Sequence, residues 1–232
     1  MKKIGIIGGL GPEATVDYYN QIIRKFNKMG DDLNYPEIII YSVNLSEFIA
    51  HMEKEEYGIV TEKFLDLIAK LKSAGADFAI MTANTPHLLF DEIQVRSELP
   101  LISIVEATLQ ETLKQGYKRP GLIGTKFTMG KGFYEAVFQK DGIPLVLPKE
   151  NEKRFLHEKL FTEIELGIFK ETTRLEMLKI VQRMINEDGI DSLILGCTEF
   201  PLILTEKSYL GIPMLNTTFI HVESIIAECL ER

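Results

Sequence analysis

The sequence predicts an α/β protein of two similar domains, each a parallel sheet flanked by helices, the pair related by a pseudo-twofold axis. Three observations carry that expectation. Short apolar runs alternate with longer amphipathic ones along the 232 residues, as strands and covering helices do in parallel sheets. Three segments recur in the same order at nearly one offset: Gly5 and Gly121 lie 116 residues apart, Ala83 and Cys197 114, and Pro100 and Pro213 113. No low-complexity linker divides the chain. Taken in order, strand-like runs fall at 4–8, 37–43, 77–83, 101–105, 120–124, 144–148, 192–197 and 213–216, with helical patterns such as 61–76 and 174–190 between them. The repeat assigns residues 1–100 with 213–232 to a first domain and 101–212 to a second.

Composition narrows the function. A net charge of −8 argues against phosphate-backbone binding, which needs clustered Lys and Arg, so no nucleic-acid partner is expected. No apolar run reaches the roughly 18–20 residues of a membrane span, and no signal-peptide pattern opens the chain. Two cysteines, Cys197 and Cys229, are too few for a disulfide scaffold. A cytoplasmic protein with free thiols and a small-molecule substrate is the expectation.

The glycine-rich opening, Gly9-Leu10-Gly11-Pro12-Glu13-Ala14, matches the dinucleotide fingerprint. That fingerprint also wants an acidic residue closing the second strand, where this chain has Tyr41-Ser42-Val43-Asn44. Glu13 would repel a pyrophosphate, so the nucleotide reading is set aside. Each half instead offers two turns at carboxyl ends of strands, where ligands bind in parallel sheets. These are 8–15 and 83–86, then 124–129 and 197–200. Facing domains would bring the four turns to one cleft, with Ala83 and Cys197 on opposite sides of a small ligand.

Cys197 is the sharpest candidate for chemistry. It ends a strand just before an expected helix, where backbone N–H groups acidify a thiol, with Glu199 opposing that effect. Asn84, Thr85 and Thr198 are short donor side chains in strand-to-helix turns, suited to a carboxylate as well as to capping. Thr125 and Thr128 are similar. His87 is a possible proton donor at the cleft edge. His51, His157 and His221 share no metal-ligand spacing, and no metal is expected. Cys229 reads as packing.

The segments "IGIIGGLGPEATVDYY", "YSVNLSEF", "ANTPH", "GTKFTM" and "LGCTEFPL", in that order, resemble the aspartate/glutamate racemase family over essentially the whole chain. The resemblance implies two flavodoxin-like domains, a homodimer, and racemisation without pyridoxal phosphate or another cofactor. Two cysteines then flank the substrate α-carbon, one thiolate removing the proton and the other thiol returning one. It further implies that Cys197 is one of these groups, that Asn84, Thr85, Thr198 and Glu199 hold substrate, and that Leu10 and Met52 line the pocket. The family's first cysteine is replaced here by Ala83, which carries no proton. Thr82 should point away from a ligand that Ala83 faces, because side chains alternate along a strand. Racemisation of aspartate or glutamate is therefore weighed against two alternatives. One is one-sided carbanion chemistry on a small dicarboxylate, by a decarboxylase or isomerase. The other is non-catalytic binding of an acidic amino acid.

Overall fold

A computed structural model describes residues 1–30 and 33–231. The chain forms two compact units, Met1–Ser103 with His221–Arg232 and Ile104–Ile220. In the first, strands β1 (Ile4–Gly8), β2 (Ile38–Ser42) and β3 (Phe78–Met81) pair in parallel in the order β2-β1-β3. Around them lie helices α1 (Pro12–Met29), α2 (Leu45–Glu53), α3 (Tyr57–Ser73) and α4 (Phe90–Arg96). The second unit holds α5 (Ile104–Gln115), β4 (Pro120–Gly124), α6 (Phe133–Lys140), α7 (Glu150–Thr162), α8 (Glu171–Arg183), β5 (Ser192–Gly196), α9 (Phe200–Ile203), β6 (Ser208–Tyr209) and β7 (Ile212–Asn216). The last helix, α10 (Thr217–Leu230), begins in the second unit and ends in the first.

The strands expected at 101–105 and 144–148 shrink to single parallel bridges, Ala79 with Leu101 and Gly121 with Val146. Pro144 and Pro148 have no N–H to give a ladder, and Ile104 already belongs to α5. Counting the bridges, the units share one strand order: β2-β1-β3-Leu101 and Val146-β4-β5-β7. The repeat seen in sequence is thus a repeat of topology. The second sheet adds an antiparallel edge, β6 on β7, that the sequence did not suggest. The expected return to the first domain at residue 213 also shifts. Met214 and Leu215 of β7 stand opposite Leu193 and Ile194 of β5, so that strand belongs to the second unit and the chain returns at His221.

Strands β1, β3, β4 and β5 are buried throughout, as expected of parallel strands covered on both faces. In the first unit Ile4, Ile6, Phe78 and Ile80 pack with Tyr18, Ile22 and Phe26 of α1 and Val222, Ile225 and Cys229 of α10. In the second, Leu193 and Leu195 pack with Leu156 and Leu160 of α7 and Met177 and Val181 of α8. Each such side chain, fully buried, stabilises by about 1.5–3 kcal/mol before ordering costs. Among the described residues no helix is long and apolar enough to cross a membrane.

The glycine loop after β1 closes on itself. Gly9 N donates to Thr15 Oγ1 at 2.8 Å, and that hydroxyl donates to Gly11 O at 3.1 Å. A Cβ on Gly8 would lie 2.4 Å from the Thr15 methyl, so glycine there is what lets α1 come this close. Gly9 thus spends its N–H within the loop, on Thr15.

A polar chain runs through the first core. His221 Nε2 donates to Ile102 O at 3.0 Å, so Nδ1 accepts from Tyr18 OH at 2.8 Å. Burial lowers the pKa of His221 from 6.5 to about 4, against the small opposing pull of the Ile102 carbonyl. The imidazole is neutral in the fold, while in the unfolded chain it takes a proton near 6.5. Stability contributed at His221 is therefore full above pH 6.5 and falls by about 1.4 kcal/mol per pH unit from there toward pH 4. Other groups titrate in the same window, so the contribution is read as a difference. Urea unfolding at pH 7, 6 and 5 should show His221→Gln destabilised at pH 7 yet about 2 kcal/mol closer to the wild type at pH 5. A gap independent of pH would show that His221 is not held neutral.

Candidate active site

The C-terminal ends of β4 and β5 build the site of the second unit. Gly124 and Gly196 stand opposite each other in register. A Cβ on Gly124 would lie 2.7 Å from Gly196 O and 2.9 Å from Thr128, and one on Gly196 would lie 3.0 Å from the Thr128 methyl. Two glycines therefore let the turn after β4 close over the end of β5. In that turn Thr125 and Thr128 are buried, their hydroxyls 3.1 Å apart, and Thr128 N donates to Thr125 Oγ1.

Cys197 follows Gly196 directly and is buried. Its Sγ donates to Glu199 Oε2 at 2.9 Å, and Thr198 Oγ1 donates to the same oxygen at 3.0 Å. Glu199 is 2% exposed, and its other oxygen, Oε1, has no hydrogen-bond partner among the described residues. A third group completes the cluster. Glu165, in the short 3-10 turn Ile164–Leu166, puts a carboxylate oxygen within 4.8 Å of ligand-type atoms of both Cys197 and Glu199. Thiol and carboxylates are also donors of the kind a divalent metal takes.

Crowding of potential anions sets the protonation. Burial, reinforced by the charges of Glu199 and Glu165, pushes the Cys197 thiol well above its ordinary range. Burial and then Glu199 push Glu165 up to about 8. Burial also raises Glu199, against the hydrogen bonds from Cys197 and Thr198 that favour its carboxylate. A thiol acidified by the helix that follows, the sequence expectation, is not what results. α9 is a single turn, and two carboxyls outweigh its dipole.

Sequence reasoning passed over Glu165. It lies far from Cys197 along the chain, and nothing separates it in kind from Glu163 two residues earlier. Glu163 is bound by Thr173 Oγ1 at 2.5 Å, Lys159 at 2.9 Å and Lys170 at 3.1 Å, and its pKa falls to about 2, Thr173 contributing most. Glu165 has no hydrogen bond or ion pair among the described residues. Only the fold distinguishes the structural acid from the site acid.

The remaining candidates lie in the first unit. Ala83 follows β3 and is buried. The neighbouring Thr82 hydroxyl donates to Ile7 O at 3.3 Å and lies 3.2 Å from Thr15 Oγ1, engaged away from Ala83 as strand alternation requires. Asn84 and Thr85 are buried where a 3-10 helix, Thr85–Leu89, begins. His87 Nδ1 donates to Ala83 O at 2.9 Å, and the ring stacks on Phe90. Burial, then the proximity of His221, lowers its pKa to about 3. An imidazole held neutral with its Nδ1 proton committed to a carbonyl is poorly placed to donate one. Leu10 lines a cavity of about 370 Å³ with Val43, Asn44, Phe48, Lys63 and Phe64. Met52 is fully buried and is not part of that lining.

The two α/β units share one topology, and the second carries a buried thiol beside two carboxyls at a strand end. The family model for Asp/Glu/hydantoin racemases matches residues 7–225, and the chain belongs to that family. It is 24% identical to a broad-specificity amino-acid racemase, RacX, of Bacillus subtilis strain 168, over 98% of each chain. Its fold matches an aspartate racemase homologue from Pyrococcus horikoshii OT3 (TM-score 0.84, 35% identity, all of both chains). It also matches the aspartate racemase of Picrophilus torridus (TM-score 0.74, 26% identity, 99% of this chain and 95% of that one). These structures agree with two flavodoxin-like domains. The homologues are amino-acid racemases, which are isomerases, and independence from pyridoxal phosphate is consistent with the family.

The protonation of Cys197 can be read by alkylation. Iodoacetamide labelling resolved by mass spectrometry should be slow at pH 7–8 and rise only above pH 9. Replacing Glu199 by Gln removes one of the charges that hold the thiol protonated and should move the midpoint down. A wild-type midpoint below 8.5 would contradict the assignment.

Proposed function

We propose that the protein moves the α-proton of a small acidic amino acid, aspartate or glutamate, without a cofactor, with Cys197 as the acid/base group. The observation that carries this is the Cys197 thiol at the end of β5, hydrogen-bonded at 2.9 Å to Glu199 Oε2. When that proton passes to Glu199, the thiolate left behind is basic enough to accept an α-proton. The thiol so formed returns a proton to the carbanion. Asn84, Thr85 and Thr198 are proposed to hold the substrate carboxylate, and preorganised donors of that kind stabilise the developing negative charge. Support comes from family membership and from the acidic substrates named for several relatives.

A second reading is favoured by Ala83 and the engaged Thr82 hydroxyl. Without a first cysteine, the opposite face depends on water or on a group outside the strand-end turn. One positioned acid or base contributes about 10²–10⁴-fold in rate. Exchange on the Cys197 face should therefore outrun inversion, and one-sided protonation of a carbanion becomes the competing activity.

Proton NMR of L-aspartate and L-glutamate with the protein in deuterium oxide, with chiral chromatography of the same samples, decides between them. Loss of the α-proton signal is expected, with slower growth of the D-isomer, and Cys197→Ala should lower the exchange rate by at least about 10²-fold. No exchange with either amino acid would remove the proposal. Exchange without inversion would favour the one-sided reading.

A further inference from the structure

We propose that Glu165 and Glu199 together form the seat of the substrate's α-ammonium group, so that the site selects amino acids over the corresponding hydroxy acids and dicarboxylates. This rests on the reading of Cys197 as the acid/base of an amino-acid enzyme and adds the group that recognises the amine. Two independent features point to a cation. Glu199 is 2% exposed and leaves Oε1 without a partner, while Oε2 is taken by Cys197 and Thr198. A buried acceptor in that state is satisfied only by a donor brought from outside. Glu165 sits in the same cluster and pairs with no Lys or Arg among the described residues, whereas Glu163 nearby is bound by two lysines. The protein thus places a pair of carboxyls beside its thiol with no Lys or Arg paired to them among the described residues.

An ammonium group meets that demand. It carries three donors and one positive charge, so one N–H can reach Glu199 Oε1 and a second Glu165, and its charge offsets the crowding of negative charge at the site. A hydroxyl at the same place offers one donor and no charge. A dicarboxylate with no amine brings only further negative charge. The seat also lies next to Sγ, which is where the α-carbon must be for proton transfer, because the amine is bonded to that carbon.

Binding of matched pairs tests this without any need for turnover: L-aspartate against L-malate and succinate, and L-alanine against L-lactate, by ligand-observed NMR and thermal shift at pH 7.5. The amino acid is expected to bind at least about tenfold more tightly in one or both pairs, a charge-assisted bond replacing a neutral one. Glu165→Gln should lower amino-acid affinity by about tenfold with malate little changed, and Glu165→Asp should recover part of it. Far-UV circular dichroism checks that both variants fold, and the matched pairs on the wild type remain decisive if they do not. Equal binding within both pairs, or undiminished aspartate binding to a folded Glu165→Gln variant, would overturn the seat. Cys197→Ala should keep the amino-acid preference. Preference without α-proton exchange in the wild type would leave the seat standing and remove the catalytic reading, and exchange without preference would do the reverse.

Discussion

The close approach of two glycines at the ends of paired strands is the constraint on which the second unit's chemistry depends. Gly124 and Gly196 face each other across β4 and β5, and any side chain at either would meet backbone oxygen or Thr128 within 3 Å. With no side chains there, the turn after β4 folds down onto β5 and Thr128 packs over its end. Cys197 is then the first residue past the sheet, in a place already sealed from water. Gly8 and Thr15 repeat the device in the first unit, where a Cβ would lie 2.4 Å from the threonine methyl. The sheets are conventional, and what is particular to this chain lies in the four or five residues that follow each strand.

Sealing those residues has an electrostatic consequence. A thiol and two carboxyls in one buried place cannot all be ionised, because each charge is both desolvated and repelled by its neighbours. Protons resolve the conflict, so Cys197, Glu199 and Glu165 all shift upward. Glu163 shows what the same residue type does when the fold provides lysines and a threonine, its pKa falling to about 2. Raising a carboxyl also favours the native state as pH falls, the opposite sign to the buried His221. Stability near neutrality is consequently a balance between the units rather than a property of either.

Much of the architecture is legible in the sequence, because parallel strands buried on both faces appear as short apolar runs, and the repeat aligns them twice. The boundaries are less so. Whether 213–216 joins one sheet or the other depends on pairing with β5, a contact between residues about twenty positions apart that no local pattern encodes. Prolines around Val146 reduced one expected strand to a bridge, which is visible in hindsight as missing donors. At the site, Cys197, Thr198 and Glu199 could be singled out because they share one turn with a recognisable neighbourhood. Glu165 could not, since its role arises from a 3-10 turn that carries it to a strand end far along the chain. His87 illustrates the converse. A histidine beside a key turn looks catalytic in sequence, whereas burial and the neighbouring His221 hold it neutral.

The protonation of Cys197 bears on why Ala83 is tolerable. Each unit of upward shift costs tenfold in the fraction of thiolate at a given pH, while the basicity gained by the thiolate that remains returns only part of that in rate, as Brønsted behaviour requires. A buried thiol of this kind is therefore better stocked as an acid than as a base. In a two-cysteine site each thiol must serve in both roles, once for each direction of inversion. On the proposed reading, with Ala83 where the resemblance expects one of them, Cys197 would be biased toward donation by the carboxyls beside it. An ammonium seated between Glu165 and Glu199 would relieve their charge and lower the cost of forming the thiolate. Base strength at Cys197 would then become available only when an amino acid is bound, and the same two carboxyls that select the substrate would decide when its α-proton can be taken.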